Sequence, residues 1–163
     1  MMTELRNASR RGVPIVAINP LRERALERFA NPQNAIEMAV LGSTPIASEY
    51  CQLRIGGDIA LLKGIMKCVL DAHDQAQDQG LAKAGHAAID AEFIEQHTQG
   101  FLAFAQDLRL TEWDWILQAS GVPREQIERI ANIYLHARNV IVAYGSDLDI
   151  QDGRIQVDRK SVV

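Results

Sequence analysis

The fold is decided by the stretch RIGGDIALLKGIMK, residues 54–67, which is typical of a tight glycine turn that opens directly into a helix. Gly56 and Gly57 can adopt backbone angles that are closed to other residues, and they leave room for a ligand beside the main chain. Asp58 stands where a helix N-cap is expected, with its carboxylate facing the unpaired N–H groups of the first turn. Such a turn is a common way to hold a nucleotide, but many turns of this kind bind nothing. Both interpretations of Asp58, helix cap and ligand-binding carboxylate, therefore stay open.

The helix that follows is apolar on nearly every side, which predicts a buried helix and not one lying on the surface. Its apolar residues are Ile59, Ala60, Leu61, Leu62, Ile65, Met66, Val69 and Leu70. After this helix, the polar composition of residues 74–88 predicts a weakly ordered loop.

A continuous β-rich apolar run at residues 13–18 predicts a strand that is buried on both faces of a parallel sheet. It ends at residues 19–20, Asn-Pro, where the ligand-binding loops of open α/β sheets emerge. Before the strand, the polar residues 1–11 resemble the end of a helix that Gly12 stops. After it, residues 21–52 predict an irregular, solvated surface, and a connection of this length is often functional.

The C-terminal half of the chain predicts a series of helices followed by a second buried strand. Asp90 begins one helix, and residues 111–114, Thr-Glu-Trp-Asp, resemble a capping box that begins another. The second strand is predicted at residues 140–145, VIVAYG. Between them, a stripe at helical spacing predicts an amphipathic helix lying on a sheet; it consists of Ile127, Ile130, Ala131, Tyr134 and Leu135.

A strand, a long helical connection and a second strand form a βαβ unit, which is expected to be parallel and right-handed. The predicted fold is therefore α/β: a Rossmann-like three-layer domain with a parallel sheet and a helix-rich crossover. We expect this domain to comprise residues 1–145, with a divergent polar tail at residues 146–163. A chain that opens on half a helix and then a central strand is typical of a fragment of a larger multi-domain subunit.

The composition is that of an ordinary soluble globular protein and argues against several classes of function. The chain has 163 residues and a net charge of -4, which argues against a general nucleic-acid binder. No apolar run approaches the roughly 20 residues that cross a bilayer, and residues 1–12 lack the apolar segment of a secretory signal. Cys51 and Cys68 have no metal-ligand spacing and are expected to be reduced thiols of a cytoplasmic protein. The sequence leaves a homo-oligomer open.

Motifs of catalysis and metal binding are absent from the sequence. It has no Gly-x-Ser-x-Gly elbow, no Gly-x-Gly-x-x-Gly fingerprint, no Walker loop and no Cys-x-x-Cys pair. The histidines lie far apart without a partner four residues away, and each is interpreted as a surface or helix-end residue: His73, His86, His97 and His136. We therefore predict no catalytic residue and no metal ligand in this chain.

A set of short motifs runs through the chain in a recognisable order: INPLRER at residues 18–24, LERF at 26–29, NPQN at 31–34, GSTPI at 42–46, QLRIGGD at 52–58 and ALLKGIMK at 60–67. Further matches follow at Phe93-Ile94, His97-Thr98, Gly100-Phe101, Trp113, Ser120-Gly121 and residues 125–127. Together these motifs resemble the alpha subunits of the molybdopterin oxidoreductases, within the formate-dehydrogenase-like branch. The resemblance covers about residues 10–145.

The resemblance implies an enzyme in which molybdenum is bound by two molecules of molybdopterin guanine dinucleotide. This chain resembles one nucleotide-binding α/β domain of the four-domain catalytic subunit, so its implied partners are the remaining domains of that subunit. In the family, the loop after the first strand contacts the guanosine part of one dinucleotide. That loop matches Asn19, Pro20, Leu21, Arg22 and Glu23, and a second guanosine contact matches Gly56, Gly57 and Asp58.

The chemistry of these side chains agrees with the implied roles. A carboxylate such as that of Asp58 can accept two hydrogen bonds from the N1–H and exocyclic amine of guanine. Arg22 could pair with a phosphate, and the glycines allow a close approach of the ligand to the backbone. For Asp58, the capping role and the guanine role compete for the same oxygens.

The sequence departs from the family pattern at two places. Asn19 stands where the family tends to have an acidic residue, and residues 145–149, GSDLD, replace a Gly-Met-Gly turn that reaches the pterin. The molybdenum ligand, the cluster-binding cysteines and half of the cofactor site are also missing. We therefore expect a part of a molybdenum-dependent oxidoreductase that is not catalytic and holds no molybdenum alone, with formate as the substrate class that the resemblance favours. The alternative is a stand-alone, non-redox module that binds guanine nucleotides or docks another subunit.

Overall fold

The computed structural model describes residues 2–30, 43–79 and 88–143. The chain divides into two compact units, Met1–Leu53 and Arg54–Val163. Its helices together with a small parallel sheet confirm the predicted α/β class. The predicted boundary at residue 145 lies outside the described residues.

The strands found among the described residues all lie in the first unit. A parallel pair, β1 and β4, places Val16 opposite Glu49 and Ile18 opposite Cys51, and β2 pairs with β3 in the antiparallel sense. The elements in chain order are α1 (Met2–Arg10), β1 (Val16–Ile18), α2 (Arg24–Glu27), β2 (Arg28–Phe29), β3 (Thr44–Pro45) and β4 (Glu49–Cys51).

The predictions for this unit are confirmed in part. Helix α1 ends before Gly12, whose φ of 76° is the left-handed conformation of a helix stop. Strand β1 is present but is not buried on both faces, because Ala17 is buried while Ile18 is 41% exposed. Among the described residues, β1 pairs with β4 alone, so it is an edge strand and not the central strand of a larger sheet. Strand β4 lies in the stretch predicted to be irregular, and its three residues are too few to show a period.

The second unit is helical and is built around one long helix. Helix α3 (Asp58–Asp78) is the predicted central helix. The remaining helices are α4 (Ala91–His97), α5 (Phe101–Leu110), α6 (Trp113–Ser120) and α7 (Arg124–His136). No helix in the described ranges is both long and apolar enough to cross a membrane.

The core of this unit lies where α6 and α7 pack against α3. Leu61, Ile116 and Ile127 are fully buried there. Gly64 brings the three helices together, because a Cβ at this position would lie 3.0 Å from Ile116 Cγ2 and 3.1 Å from Ile127 Cγ2.

The predicted apolar stripe of α7 is confirmed at Ile127, Ile130 and Ala131, which are buried, but not at Tyr134, which is 50% exposed. The expectation that this helix lies on a sheet is wrong. Its buried side chains face a helix instead.

Helix α3 is less buried than its composition predicts. Leu61 is 0% exposed, whereas Ile59 and Leu62 are 47% and 48% exposed. Ile55, in the preceding turn, is 78% exposed. We call these three residues, Ile55, Ile59 and Leu62, the apolar face of α3. The helix therefore buries one side within the described residues and leaves another open.

The middle and the C-terminal part of α3 are held to α5 by polar contacts. Lys67 Nζ donates to the carbonyl oxygens of Leu108 (3.0 Å) and Arg109 (2.8 Å), which lie at the C-terminus of α5. The Arg109 guanidinium donates to both carboxylate oxygens of Asp74 at 2.9–3.0 Å. The helix continues to Asp78, so the loop that the sequence predicted from residue 74 onward begins later than expected. Residues 80–87 of that predicted loop lie outside the described part of the chain.

The N-termini of α4 and α6 agree only in part with the capping predictions. Asp90 caps α4 as predicted, since its Oδ1 accepts from the Phe93 N–H at 2.9 Å. The capping box at residues 111–114 is wrong. The N-cap of α6 is Glu112, without a side-chain hydrogen bond, and the Thr111 hydroxyl donates instead to the carbonyl of Asp107 at 2.8 Å.

The predicted second strand is not formed. Residues 140–143 have no regular secondary structure, and Val140, Ile141 and Val142 are 48%, 95% and 64% exposed. Their β-branched side chains favour a strand, but a strand needs a neighbour for its backbone hydrogen bonds. No such bond joins them to another described residue. The parallel partner of β1 is β4, so the predicted βαβ unit is wrong in its second strand; residues 144–145 lie outside the described residues.

Candidate functional site

The loop that follows β1, residues 19–23, is the first candidate site, and we call it the β1 loop. It begins where the Asn19 N–H donates to the carbonyl of Cys51, which is the last residue of β4 (3.1 Å). The Asn19 side chain then turns inward. Its Oδ1 accepts from the Leu21 N–H at 3.1 Å, and its Nδ2 donates to Glu23 Oε1 at 2.7 Å. Asn19 therefore shapes the loop, a role that the prediction of a ligand contact did not include.

Two side chains from β4 and the residue after it hold the same loop from the other side. The Tyr50 hydroxyl donates to the Leu21 carbonyl at 2.6 Å and accepts from the Glu23 N–H at 3.0 Å. Gln52 Nε2 donates to the Pro20 carbonyl at 3.0 Å. Both residues were missed by the sequence analysis. Their two-residue spacing, which places side chains on the same face of a strand, was the available signal.

The polar groups that the β1 loop leaves exposed are an arginine and a carboxylate. The Arg22 side chain is 69% exposed, and its Nε pairs with Glu27. Its terminal nitrogens have no partner among the described residues. Glu23 is exposed, and only its Oε1 is used within the loop. The loop thus offers a cation and a hydrogen-bond acceptor side by side.

The glycine turn before α3 is the second candidate site and lies in the other unit. Gly57, with φ of −84°, is the N-cap of the helix, and its N–H donates to the Arg54 carbonyl at 2.9 Å. Gly56 carries the positive φ of 81° that the turn requires. Asp58 is the first helical residue and makes no capping hydrogen bond. The predicted N-cap at Asp58 is therefore wrong by one residue.

Helix α6 covers one side of this turn. A Cβ on Gly57 would lie 2.8 Å from both the Ala119 carbonyl oxygen and the Ser120 Cα. Arg54 ties the turn to the end of α6, because its N–H donates to the Ser120 carbonyl (2.8 Å) and its Nη1 to the Gln118 carbonyl (2.6 Å). The lack of a side chain at Gly57 is thus explained by helix packing. A ligand contact by Gly57 stays a prediction.

The Asp58 carboxylate is half-buried and has no hydrogen-bond donor among the described residues. Its negative charge is favourable at the N-terminus of α3, where the helix dipole is positive. With the capping role removed, both oxygens can accept from a ligand. The five predicted residues of the β1 loop belong to the first unit, and the three of the glycine turn belong to the second.

The two cysteines have properties opposite to those of reactive or metal-binding thiols. The pKa of Cys51 is raised to about 11, mainly by burial and to a smaller extent by the negative charge of Glu49. Burial, followed by the charges of Glu128 and Asp71, raises the pKa of Cys68 to about 11 as well. Reactive thiols and metal ligands need a lowered pKa. Among the described residues, no group of three His, Cys, Asp or Glu side chains is placed to hold a metal ion.

These thiols predict a loss of stability in alkaline solution. Each pKa is raised from an ordinary value of 9.0, so an unfolded chain releases its thiol protons at lower pH than the folded chain does. Their stabilising contribution is complete below pH 9 and is lost as the pH rises to about 11. Urea unfolding at pH 8, 9.5 and 11 should therefore show a smaller loss for Cys51→Ala/Cys68→Ala than for the unaltered protein. Equal losses would contradict the raised pKa values.

Sequence comparison relates this chain to longer bacterial proteins. It is 43% identical over 145 residues to Protein YdeP of Escherichia coli strain K12 and of Shigella flexneri, which covers 89% of this chain and 19% of YdeP. It is 28% identical over 148 residues to the uncharacterized oxidoreductase Rv2900c of Mycobacterium tuberculosis, covering 91% of this chain and 18% of that relative. Most of the chain is therefore similar to part of a protein named as an oxidoreductase.

The chain spans only about a fifth of the length of the curated relatives that it matches. No protein-family model matches it. No solved structure matches it either.

Proposed function

We propose that this chain is part of a cytoplasmic molybdopterin-dependent oxidoreductase of the formate-dehydrogenase-like branch and contacts the guanosine side of a molybdopterin guanine dinucleotide. The observation that carries this proposal is the β1 loop, which follows the carboxyl end of a parallel strand and presents Arg22 and Glu23 to solvent. Ligands of open α/β sheets bind at this end of the strands. The similarity to a named oxidoreductase supports the redox class, and two free thiols fit a reducing compartment.

The chemistry of the two candidate sites supports a guanosine contact at most of the predicted positions, taking each site by itself. In the β1 loop the free oxygen of Glu23, and in the glycine turn the carboxylate of Asp58, would each accept hydrogen bonds from ribose hydroxyls or from a guanine edge. The terminal nitrogens of Arg22 would pair with a phosphate, in competition with Glu27. Gly56 has no side chain and would leave room for the ligand beside the turn. Gly57 does not fit this role, because α6 occupies the space beside it in which a ligand would have to lie.

The role of this chain in the reaction is to bind and orient the nucleotide end of the cofactor. The bound cofactor supplies two-electron chemistry at molybdenum. The residues described above contribute hydrogen-bond acceptors and a cation that hold the nucleotide end. Neither thiol has the lowered pKa of a metal ligand, so we assign no catalytic residue to this chain. The reacting groups would come from the remaining domains of the longer polypeptide.

Calorimetric titration with GDP tests this nucleotide contact. We expect the unaltered chain to bind GDP, and we expect Asp58→Asn and Glu23→Gln each to weaken binding roughly tenfold, since a hydrogen bond to a charged group contributes about 1.5–3 kcal/mol. Asp114→Asn is the matched control, because it removes an exposed carboxylate from the first turn of α6. No binding by the unaltered chain, or equal losses in all three variants, would reject the guanosine contact.

The second candidate is a stand-alone, non-redox module that docks another subunit. The apolar face of α3 favours it, because exposed apolar side chains grouped on a helix and the turn before it mark a surface that binds a partner. The native size of the protein separates the two candidates. An immunoblot of source cells should show a band several times larger than 18.1 kDa if the chain belongs to an oxidoreductase subunit, and a band at 18.1 kDa if it is a separate module.

A further inference from the structure

We propose that Tyr50 and Gln52 are positioning residues that hold the β1 loop in the conformation that binds an anionic nucleotide. This inference rests on the proposed function, since it assigns Arg22 and Glu23 to the ligand. Both residues lie outside the predicted site, Tyr50 in β4 and Gln52 directly after it. They act on the ligand through the backbone of the loop. The inference also assigns Asn19 to the shaping of the loop and not to the ligand.

The geometry that carries this inference is a set of bonds to three loop residues. The Tyr50 hydroxyl bridges the loop, donating to the Leu21 carbonyl and accepting from the Glu23 N–H, at 2.6 and 3.0 Å. Gln52 Nε2 adds a bond to the Pro20 carbonyl at 3.0 Å. Each of these three loop residues is therefore fixed by a side chain from outside the loop.

The Tyr50 bridge spans Arg22, whose terminal guanidinium nitrogens have no partner among the described residues. Because the carbonyl before Arg22 and the N–H after it are bonded to the same hydroxyl, the backbone at Arg22 has little freedom. The side chains of Arg22 and Glu23 then start from fixed positions. A binding loop that is already ordered loses less conformational freedom when the ligand binds, which strengthens binding.

Asn19 completes the same arrangement from inside the loop. Its Nδ2 donates to Glu23 Oε1, so the carboxylate has one oxygen engaged and one free. Both polar atoms of the Asn19 side chain are used in this way. An aspartate here would place a second carboxylate beside Glu23 and repel it. The asparagine therefore suits a loop whose acceptor group is Glu23.

Tyr50→Phe is the variant that tests the bridge, since it removes one hydroxyl and keeps the ring. Tyr134→Phe is the matched control, because the Tyr134 side chain is half exposed on α7 and has no bond to another described residue. Amide hydrogen exchange of the loop should become about tenfold faster in Tyr50→Phe, because a net hydrogen bond changes an equilibrium by roughly that factor. It should stay unchanged in Tyr134→Phe.

Ligand binding provides the second readout. We expect Tyr50→Phe to weaken GDP binding roughly tenfold and Gln52→Ala to weaken it by a smaller factor. The effect of Glu23→Gln should shrink in the Tyr50→Phe background, because the two residues act on the same contact. A merely structural role of Tyr50 would lower the melting temperature and leave this coupling at zero.

The outcomes separate this inference from the proposed function. If the unaltered chain does not bind GDP, both fail together. If it binds GDP and Tyr50→Phe binds equally well, the positioning role is overturned and the nucleotide contact stands. Unchanged amide hydrogen exchange of residues 21–23 in Tyr50→Phe would overturn the bridge itself.

Discussion

We expect Gly57→Ala to lower the free energy of unfolding by about 2–3 kcal/mol, toward the upper end of the cost of overpacking. The added Cβ would lie 2.8 Å from two backbone atoms of α6 and 3.0 Å from the Arg54 carbonyl oxygen. None of these atoms is the end of a flexible side chain, so the turn or the helix has to move. Urea unfolding followed by circular dichroism measures the change.

Gly100→Ala is the control that separates crowding from backbone strain. Gly100 has a φ of 78° with open space around it, so an alanine there loses only about 1–2 kcal/mol through its left-handed conformation. Gly57 has a φ of −84°, which any residue adopts, so its cost is entirely steric. If Gly57→Ala were as stable as the unaltered protein, the turn would not be packed against α6 and would be open to a ligand.

The second large effect is expected at the centre of the helical unit. Leu61→Ala should lower the free energy of unfolding by about 3–4 kcal/mol, because it removes a fully buried side chain and leaves a cavity. Leu62→Ala is a matched control of the same residue type on the next position of the same helix. Leu62 is 48% exposed, so its loss should be about 1 kcal/mol or less.

The comparison of these two leucines also tests the apolar face of α3. Urea unfolding of both variants under one condition is sufficient. If Leu62→Ala cost as much as Leu61→Ala, the face would be covered in solution by a second copy or by another part of the protein. Light scattering of the same samples would distinguish these cases by mass.

Periodic patterns in the sequence were enough to predict most helices of the second unit, but not α2 or the last turn of α3. The buried side of α3, the N-cap at Asp90 and the apolar stripe of α7 all depend on spacings within one segment. The N-cap is confirmed, and the other two are confirmed in part, because Leu62 and Tyr134 are about half exposed. The strands were harder to predict because a strand is stabilised by a partner from elsewhere in the chain. Val140 to Val142 have the composition of a strand but lack a partner among the described residues, whereas β4 has a partner and too few residues to be recognised.

The location of the β1 loop could be predicted from the sequence, but the roles within it could not. Its place follows from the rule that loops leave the carboxyl ends of parallel strands, and β1 is such a strand. The role of Asn19 depends on a bond to Glu23, and the role of Tyr50 on bonds to residues 27 and 29 positions away. The packing role of Gly57 likewise depends on its contact with α6. Such contacts arise only once the chain is folded.

The bonds of Arg54 have a consequence for how this sequence can vary. Arg54 fixes the end of α6, and a Cβ on Gly121 would lie 2.6 Å from its Cγ. Gly57 faces the Arg54 carbonyl on the other side of the same turn. Positions 54, 57 and 121 therefore share one small volume and are expected to change together among related sequences. A homologue with a side chain at position 121 is expected to have replaced the arginine at position 54.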